Sequence, residues 1–392
     1  MTVTEPVHIY TNYDFRIPAF EVKVEDFNLP RNVVRDVVSV SYTDSLDKLD
    51  SCQFTLNNWD AEKRSLKYSD SALFNPGKAI ELYMGYHDRG GMTLMLRGQI
   101  IALAVDFPEG GQSTLQVRAL NQLYKLHFKQ ENLVFQNKKD SEIAQEILEK
   151  IEQDQTRQRK QSGQPNFKLE LVNHKAVQKE QPREYVWINN KYPIVFLMER
   201  ARQSGYDIYI EEEKTDDTWT TKLHFHPPEA QISAPYKLVA GKTLISFKPT
   251  LKTKDQVAKV TVRGWDPDKD KEIIGEATRD DLGFRGLPNV KDLQAIDSAL
   301  AGSEEVISLP VENNKDAKDK AIAYLTDLEK DLITGSGSTV GLPELRAGRP
   351  IYIEGLGSRF SGRYIITSST HTIGNSGYTT QFEARVEELG SK

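Results

Sequence analysis

Seven histidines and one cysteine are the scarcest reactive side chains in this chain of 392 residues. His224 and His226 flank Phe225, and the two-residue period of a strand would put both imidazoles on one face. That is half of a metal site, since zinc and similar ions need three or four N, S or O ligands. No further histidine or cysteine lies nearby in sequence, and Pro227-Pro228 ends the strand, so no bound metal is expected. Cys52 alternates with Phe54 and Leu56 in SCQFTLN, which assigns it to a core face. A single cysteine allows neither an intrachain disulfide nor a thiolate cluster. His371, in a strand-like run near the C-terminus, reads as a hydrogen-bonded structural residue rather than a general base.

Longer motifs fail on their spacing. Ala240-Gly241-Lys242-Thr243 resembles the end of a phosphate loop, but Tyr236 stands where the earlier glycine is needed, leaving a turn that leads into a strand. Asp266-Pro267-Asp268-Lys269-Asp270 opens like a calcium loop. Its sixth position is Lys271 instead of glycine and its twelfth is Ala277 instead of glutamate, so it reads as a solvated turn. No G-x-S-x-G elbow occurs, and no carboxylate spacing selects a glycosidase pair. The expectation is a non-enzyme with no catalytic residue, cofactor or metal. A net charge of −6 argues against nucleic-acid binding, which needs a basic face. No apolar run is long enough for a membrane span, and MTVTEPVHIYTNYDF lacks the basic start and apolar core of a signal peptide. Folding in a cytoplasm is expected.

The elements that would position these residues are mainly strands. Residues 1–128 look all-β, with alternation over Ile17–Val24, a β-branched run over Val33–Val40, Ser51–Asn57, and strands through Ile80, Leu94–Val105 and Ser113–Ala119. Residues 129–240 read as an α+β middle domain. Asp140-Ser141 caps a helix with Ile143, Ala144, Ile147, Leu148 and Ile151 on one face, and EQDQTRQRKQSGQPN after it reads as a mobile loop. A second helix spans Pro193–Ser204 and stops at Gly205, followed by a hairpin through Tyr206–Ile210 and Leu223–Phe225. Residues 241–270 and 340–388 are assigned to a second β-domain, with 271–339 as a loop-rich insert carrying one helix, Ala317–Leu332. Gly335-Ser336-Gly337-Ser338 reads as a flexible joint.

The first and last β-domains share their punctuation. Pro76–Leu82 aligns with Ala347–Ile353, Gly98–Ile101 with Gly362–Ile365, and Gly110–Ala119 with Gly377–Val386, which places Leu115 opposite Phe382. The conserved order of three segments points to a duplicated β-module. Arg346, Arg349, Arg359 and Arg363 cluster in the second copy of an otherwise acidic chain. Two readings stand for them: a solvated strand edge that discourages aggregation, or an exposed patch facing an acidic partner.

The C-terminal segments also carry a family resemblance. GLPELRAGRP at 341–350, GLGSRFSGRY at 355–364 and HTIGNSGYTTQFE at 371–383 resemble the closing segment of the phage late-control protein D family. That family includes baseplate hubs of contractile phage tails and the N-terminal hub part of VgrG-type spike proteins. Val262–Asp266 and the helix followed by Gly205-Tyr206 are similar to it as well. The resemblance implies a mainly β chain with two similar antiparallel β-barrel domains and an inserted α/β domain. It further implies a homotrimer forming a pseudo-six-fold ring between a hexameric tail-tube protein and a three-fold spike. Other baseplate proteins are implied partners; nucleic-acid contact and stable membrane insertion are not. The implied location is a phage-tail-like particle, extracellular or cell-anchored, assembled in the bacterial cytoplasm. VgrG-type proteins continue into an oligonucleotide/oligosaccharide-fold domain and a β-helical needle. This sequence stops at Lys392, so the expectation is a separate spike protein, or else a truncated piece. The implied function is a structural baseplate hub of a contractile injection system or phage-like tail. The alternatives are the hub of an ordinary contractile phage tail and, in a different class, a cell-wall hydrolase or glycan-binding tail module.

Overall fold

The computed structural model describes residues 6–9, 15–87, 91–162, 169–174, 177–178, 180–215, 218–226, 236–266, 269–282 and 290–386. Alternating residues near the N-terminus form β1 (Pro18–Val24), β2 (Val37–Ser45), β3 (Ser51–Asn57), β4 (Ala79–Tyr86), β5 (Met92–Asp106) and β6 (Thr114–Asn121). They pair antiparallel in the order β2-β3-β6-β5-β4-β1. Cys52, Phe54 and Leu56 of β3 are buried as their alternation predicts, opposite Ala119, Val117 and Leu115 of β6. Part of the β-branched run behaves otherwise: Arg31–Asp36 forms a short helix behind Pro30, and the strand begins only at Val37.

A separate core forms the middle of the chain. Its elements are β7 (Glu131–Lys138), α1 (Asp140–Ser162), β8 (Leu169–Leu171), β9 (Arg183–Lys191), α2 (Pro193–Ser204), β10 (Asp207–Thr215) and β11 (Thr218–His226). Ile143, Ile147 and Leu148 of α1 meet Ile194 and Leu197 of α2 and Leu223 and Phe225 of β11 in that core. α2 has proline at its start and ends at Gly205, whose φ of 67° places it in the left-handed region. The stretch expected to be a mobile loop is helical as far as Ser162. It contains no glycine or proline before Gly163 and is rich in glutamine, glutamate, lysine and arginine, all good helix formers. Its last residues, 163–166, lie outside the described ones.

After β12 (Tyr236–Val239) and β13 (Leu244–Leu251) comes an excursion: β14 (Lys259–Asp266), β15 (Lys271–Thr278), α3 (Val290–Leu300), β16 (Glu304–Ser308) and α4 (Asn314–Lys330). β14 pairs with β15 and β16 in its own sheet, and Val260, Val262 and Ile273 bury Ala317, Ala321 and Leu325 of α4. Residues 259–266, assigned from the sequence to the second β-domain, thus belong to the insert, because their apolar face meets α4. The chain then returns as β17 (Ile333–Val340), β18 (Pro350–Glu354), β19 (Gly362–Gly374) and β20 (Gly377–Val386). The supposed flexible joint at 335–338 is the middle of β17, paired with β13 on one side and β20 on the other. Its glycines are there for space. A Cβ on Gly335 would lie 2.4 Å from the Phe247 ring, and one on Gly337 2.8 Å from both Phe247 and Phe382.

The pairing order β13-β17-β20-β19-β18 repeats β2-β3-β6-β5-β4, strand for strand and in the same chain order. Irregularities repeat too. The register shifts between Val37 and Ser39 in β2 and between Leu244 and Ser246 in β13. It shifts again where Ile100 and Ala102 of β5 face β6, and where Ile366 and Ser368 of β19 face β20. Gly77 (φ 98°) donates to Ile100 O at 2.8 Å, as Gly348 (φ 81°) does to Ile366 O at 2.8 Å. These anchors keep Gly77 matched to Gly348, as aligned from the sequence, and move the other two segments by two residues. Ile100 corresponds to Ile366, and Val117, not Leu115, corresponds to Phe382. The insert occupies the position of the tight β2–β3 hairpin, closed at its base by Lys252 N–H donating to Leu332 O at 2.9 Å.

Gly335→Val tests the reading of β17. Overpacking against Phe247 should cost roughly 1–3 kcal/mol in chemical denaturation, whereas exposed Ser336→Val should stay within about 0.5 kcal/mol. A flexible joint would tolerate both substitutions.

Candidate functional site

The two repeated strand sets are joined edge to edge in one sheet where β2 pairs with β19, Tyr42 opposite His371 and Asp44 opposite Ser369. Alternation turns Tyr42 and Asp44 inward, and the junction is polar and closed. Arg346 Nε donates to Asp44 Oδ2 at 2.6 Å, the Ala347 amide donates to the same oxygen at 3.1 Å, and Ser369 Oγ donates to Oδ1 at 2.5 Å. The Arg346 guanidinium also bonds Tyr42 Oη, reaches Met95 O at 3.3 Å and lies 4.4 Å over the Tyr42 ring. Burial works against its charge, yet Tyr42, Asp44 and Asp50 around it hold its pKa above the ordinary value. His371 is fully buried and bonds Leu345 O (3.1 Å) through Nε2, and Tyr378 Oη (3.0 Å) and Thr380 Oγ1 (3.1 Å) through Nδ1. The Leu345 carbonyl can only accept, which places the proton on Nε2. Burial pushes the His371 pKa down to about 4, with Asp44 opposing and Arg346 adding to the shift.

The four arginines therefore separate. Arg346, expected at an exposed patch, is half-buried and spent on the junction, because its acidic partner arrives from β2. Arg349 is exposed and lies 3.8 Å from Glu211 of β10. Arg359 is exposed and Arg363 half-buried, on the stretch around the β18–β19 connection.

Two strand edges match the halves of this junction. β13 corresponds to β2, and among the described residues Ser246–Leu251 of β13 pair only with β17. β5 corresponds to β19, and among the described residues its end, from Ala102 to Asp106, pairs only with β6. Val105 is 37% exposed, Phe107 67% and Ile245 63%. Because Lys252 donates toward β17, alternation turns the backbones of Leu251, Pro249 and Phe247 to the open side. Pro249 thus stands on a free edge, where its missing donor weakens indiscriminate pairing.

A third cluster lies in the middle domain. Leu223 and Phe225 enter the core, which turns His224 and His226 to the other face of β11. β8 runs parallel beside β11, with Val172 N–H donating to Leu223 O at 2.9 Å, and delivers His174 to that same face. His174 Nε2 is 2.9 Å from His224 Nδ1, and the His174 and His226 rings stack at 3.6 Å. The third histidine missing from the local sequence is supplied 50 residues away from His224. Glu211 Oε2 is 3.5 Å from His224 Nε2, and this contact, with Arg349 adding to it against partial burial, holds the Glu211 carboxyl below its usual range. Ala240–Thr243 is a turn into β13, as its sequence suggested. The centre of the calcium-like loop, 267–268, lies outside the described residues.

A family profile described as the Alg8 N-terminal domain matches residues 15–168 and 195–375. The chain belongs to that family. No curated protein matches it in sequence. In fold it is similar to the 43 kDa tail protein of prophage MuSo2 from Shewanella oneidensis, with TM-score 0.64 at 13% identity over 94% of this chain and 98% of that one. It is also similar to a tail protein from Neisseria meningitidis MC58, with TM-score 0.65 at 10% identity over 96% and 98%. A third similar structure is an E. coli component of the type VI secretion system, described as similar to T4 bacteriophage tail proteins (TM-score 0.52, 12% identity, 95% and 78%). At these identities the likeness is one of fold. It agrees with the C-terminal resemblance at the level of a mainly β tail-protein architecture.

The junction yields two measurable consequences. Arg346→Met should cost about 3 kcal/mol in urea unfolding, because Asp44 is left buried and charged, and adding Asp44→Asn should recover part of the loss. Arg359→Met, an exposed change, should move stability by less than about 0.5 kcal/mol. For His371, the folded state resists protonation, so its contribution is present above the unfolded pKa near 6.5 and lost as pH falls toward 4. The stability gap between wild type and His371→Asn should therefore narrow across that window, by up to about 3 kcal/mol. A gap that stays constant with pH would refute a neutral buried imidazole.

Proposed function

We propose that this chain is a structural, non-enzymatic baseplate hub of a contractile injection system or phage-like tail, related to late-control protein D and VgrG hubs. The observation that carries this reading is the end-to-end likeness to tail proteins, covering 94% of this chain and 98% of the Shewanella protein. In this role three copies of a doubled module form a pseudo-six-fold ring of two β-barrels per chain. The ring seats a hexameric tail tube on one side and a separate three-fold spike on the other, among other baseplate proteins. Arg349, Arg359 and Arg363 are candidates for the contact with an acidic tube, spike or baseplate surface. The particle would be assembled in the bacterial cytoplasm.

The repeated register supports the self-association and gives the proposal a form that can be tested. Within one chain β2 pairs with β19; between chains the corresponding pairing is β13 with β5 of a second copy. Transferring the register sets Leu251 opposite Leu103, Pro249 opposite Val105 and Phe247 opposite Phe107. Those pairs are apolar where the junction within the chain is polar. On the other face Lys248 falls opposite Asp106, an opposite-charge cross-strand pair. Leaving these apolar edges in water would invite promiscuous pairing, which the Lys248–Asp106 match and Pro249 both restrict.

Light scattering on size-exclusion peaks tests this. A trimer is expected for the wild type at high protein concentration, weakened by either Lys248→Asp or Asp106→Lys and recovered by the double exchange. A wild-type monomer under those conditions, or a trimer indifferent to both single variants, would sink the proposed pairing. Purified hub that fails to bind the cognate tube or spike would sink the function.

A further inference from the structure

We propose that His174, His224 and His226 form a binding site for a divalent transition-metal ion of the zinc class. The proposal rests on the side-chain geometry of the middle domain and is independent of the hub reading. One potential ligand atom from each histidine lies within 4.8 Å of the others. Tetrahedral coordination with metal–nitrogen bonds of 2.0–2.1 Å separates ligand nitrogens by about 3.3 Å. The 2.9 Å pair His174 Nε2–His224 Nδ1 needs only a small opening to admit an ion between them, and the other separations, within 4.8 Å, must close by up to about 1.5 Å. Imidazole is a ligand for zinc, copper, nickel and iron, and three imidazoles leave a fourth position for water or an outside group.

The surroundings suit a ligand set better than a solvated cluster. His224 and His226 are 7% and 4% exposed, and each is held on β11 by the burial of Leu223 and Phe225 on the opposite face. Tyr209 stacks on the His224 ring at 4.4 Å and 6°. The second ring nitrogen of His224 points at the Glu211 carboxylate, 3.5 Å away. This is the usual outer partner of a metal-bound histidine: a carboxylate that accepts from Nε2–H leaves the Nδ1 lone pair for the ion. The arrangement also has a task. β8 is three residues long and its chain leads to His174, so an ion shared between His174 and β11 would pin that short strand to the sheet.

Chelator-treated full-length protein titrated with zinc should bind one ion per chain with micromolar or tighter affinity and melt at a higher temperature. Cobalt(II) should give the intense visible bands of a four-coordinate nitrogen site. The triple variant His174→Gln, His224→Gln, His226→Gln should lose both, with circular dichroism in chelator confirming that it is folded. Should that variant not fold, His174→Gln alone, on the β8 side, carries the same comparison. Glu211→Gln should weaken binding by about tenfold or more while keeping the stoichiometry, and His87→Ala should change nothing. The proposal is overturned if the wild type binds no zinc at millimolar concentration, or if the folded His174 or triple variant binds as tightly as the wild type.

Discussion

The ion pair between Arg346 and Asp44 is the interaction on which the shape of the molecule depends. Burying two charges is costly unless their hydrogen-bonding capacity is filled. Here Asp44 receives Arg346, the Ala347 amide and Ser369, while Arg346 also reaches Tyr42 and Met95. The partners come from β2, β5, β19 and the segment leading into β18, and so from both strand sets. A slip of β2 against β19 by one residue would turn Asp44 and Tyr42 outward and strand Arg346 without its partner. The pair therefore contributes less to net stability than to the choice of one register, which is what a part with two joined modules needs.

The rest of the fold can vary around that fixed seam. An excursion of three strands and two helices enters at the β13–β17 turn, whose ends are close together, so loop closure costs little. The middle domain falls between the two strand sets in the sequence and has its own core. It still touches the second set through Glu211 and Arg349, at 3.8 Å, a long and exposed contact that adds little stability on its own.

Local alternation was legible in the sequence, and so were both middle-domain helices and the existence of a repeat. Ser51–Asn57, Pro193–Ser204 and Gly205 announce themselves because strand period, helix period and a left-handed cap are short-range properties. What escaped were features set by distant partners. Gly335 and Gly337 look like linker glycines until Phe247 and Phe382 are placed beside them. Arg346 looks exposed until Asp44 arrives from 302 residues earlier. His174 has no metal-site signature without the parallel pairing of β8 with β11. Of the three repeat segments, the first is in register and the other two are two residues out, because turn glycines mark where strands begin but say nothing of the bulges inside them.

Duplication explains why the seam and the open edges differ in chemistry while sharing geometry. An edge that pairs inside its own chain meets its partner at high effective concentration, and it can use buried charge to fix register. In the proposed assembly an edge that waits for another copy must stay soluble meanwhile, which rules out a buried-type ion network on its surface. β13 shows that compromise: Phe247, Pro249 and Leu251 are half-buried on one face, Lys248 and Thr250 are exposed on the other, and Pro249 removes one ladder donor. In the same positions β2 carries Val40, Tyr42 and Asp44, all buried. One backbone plan thus supports two kinds of joint, a polar one made once at folding and an apolar one suited to being made on assembly.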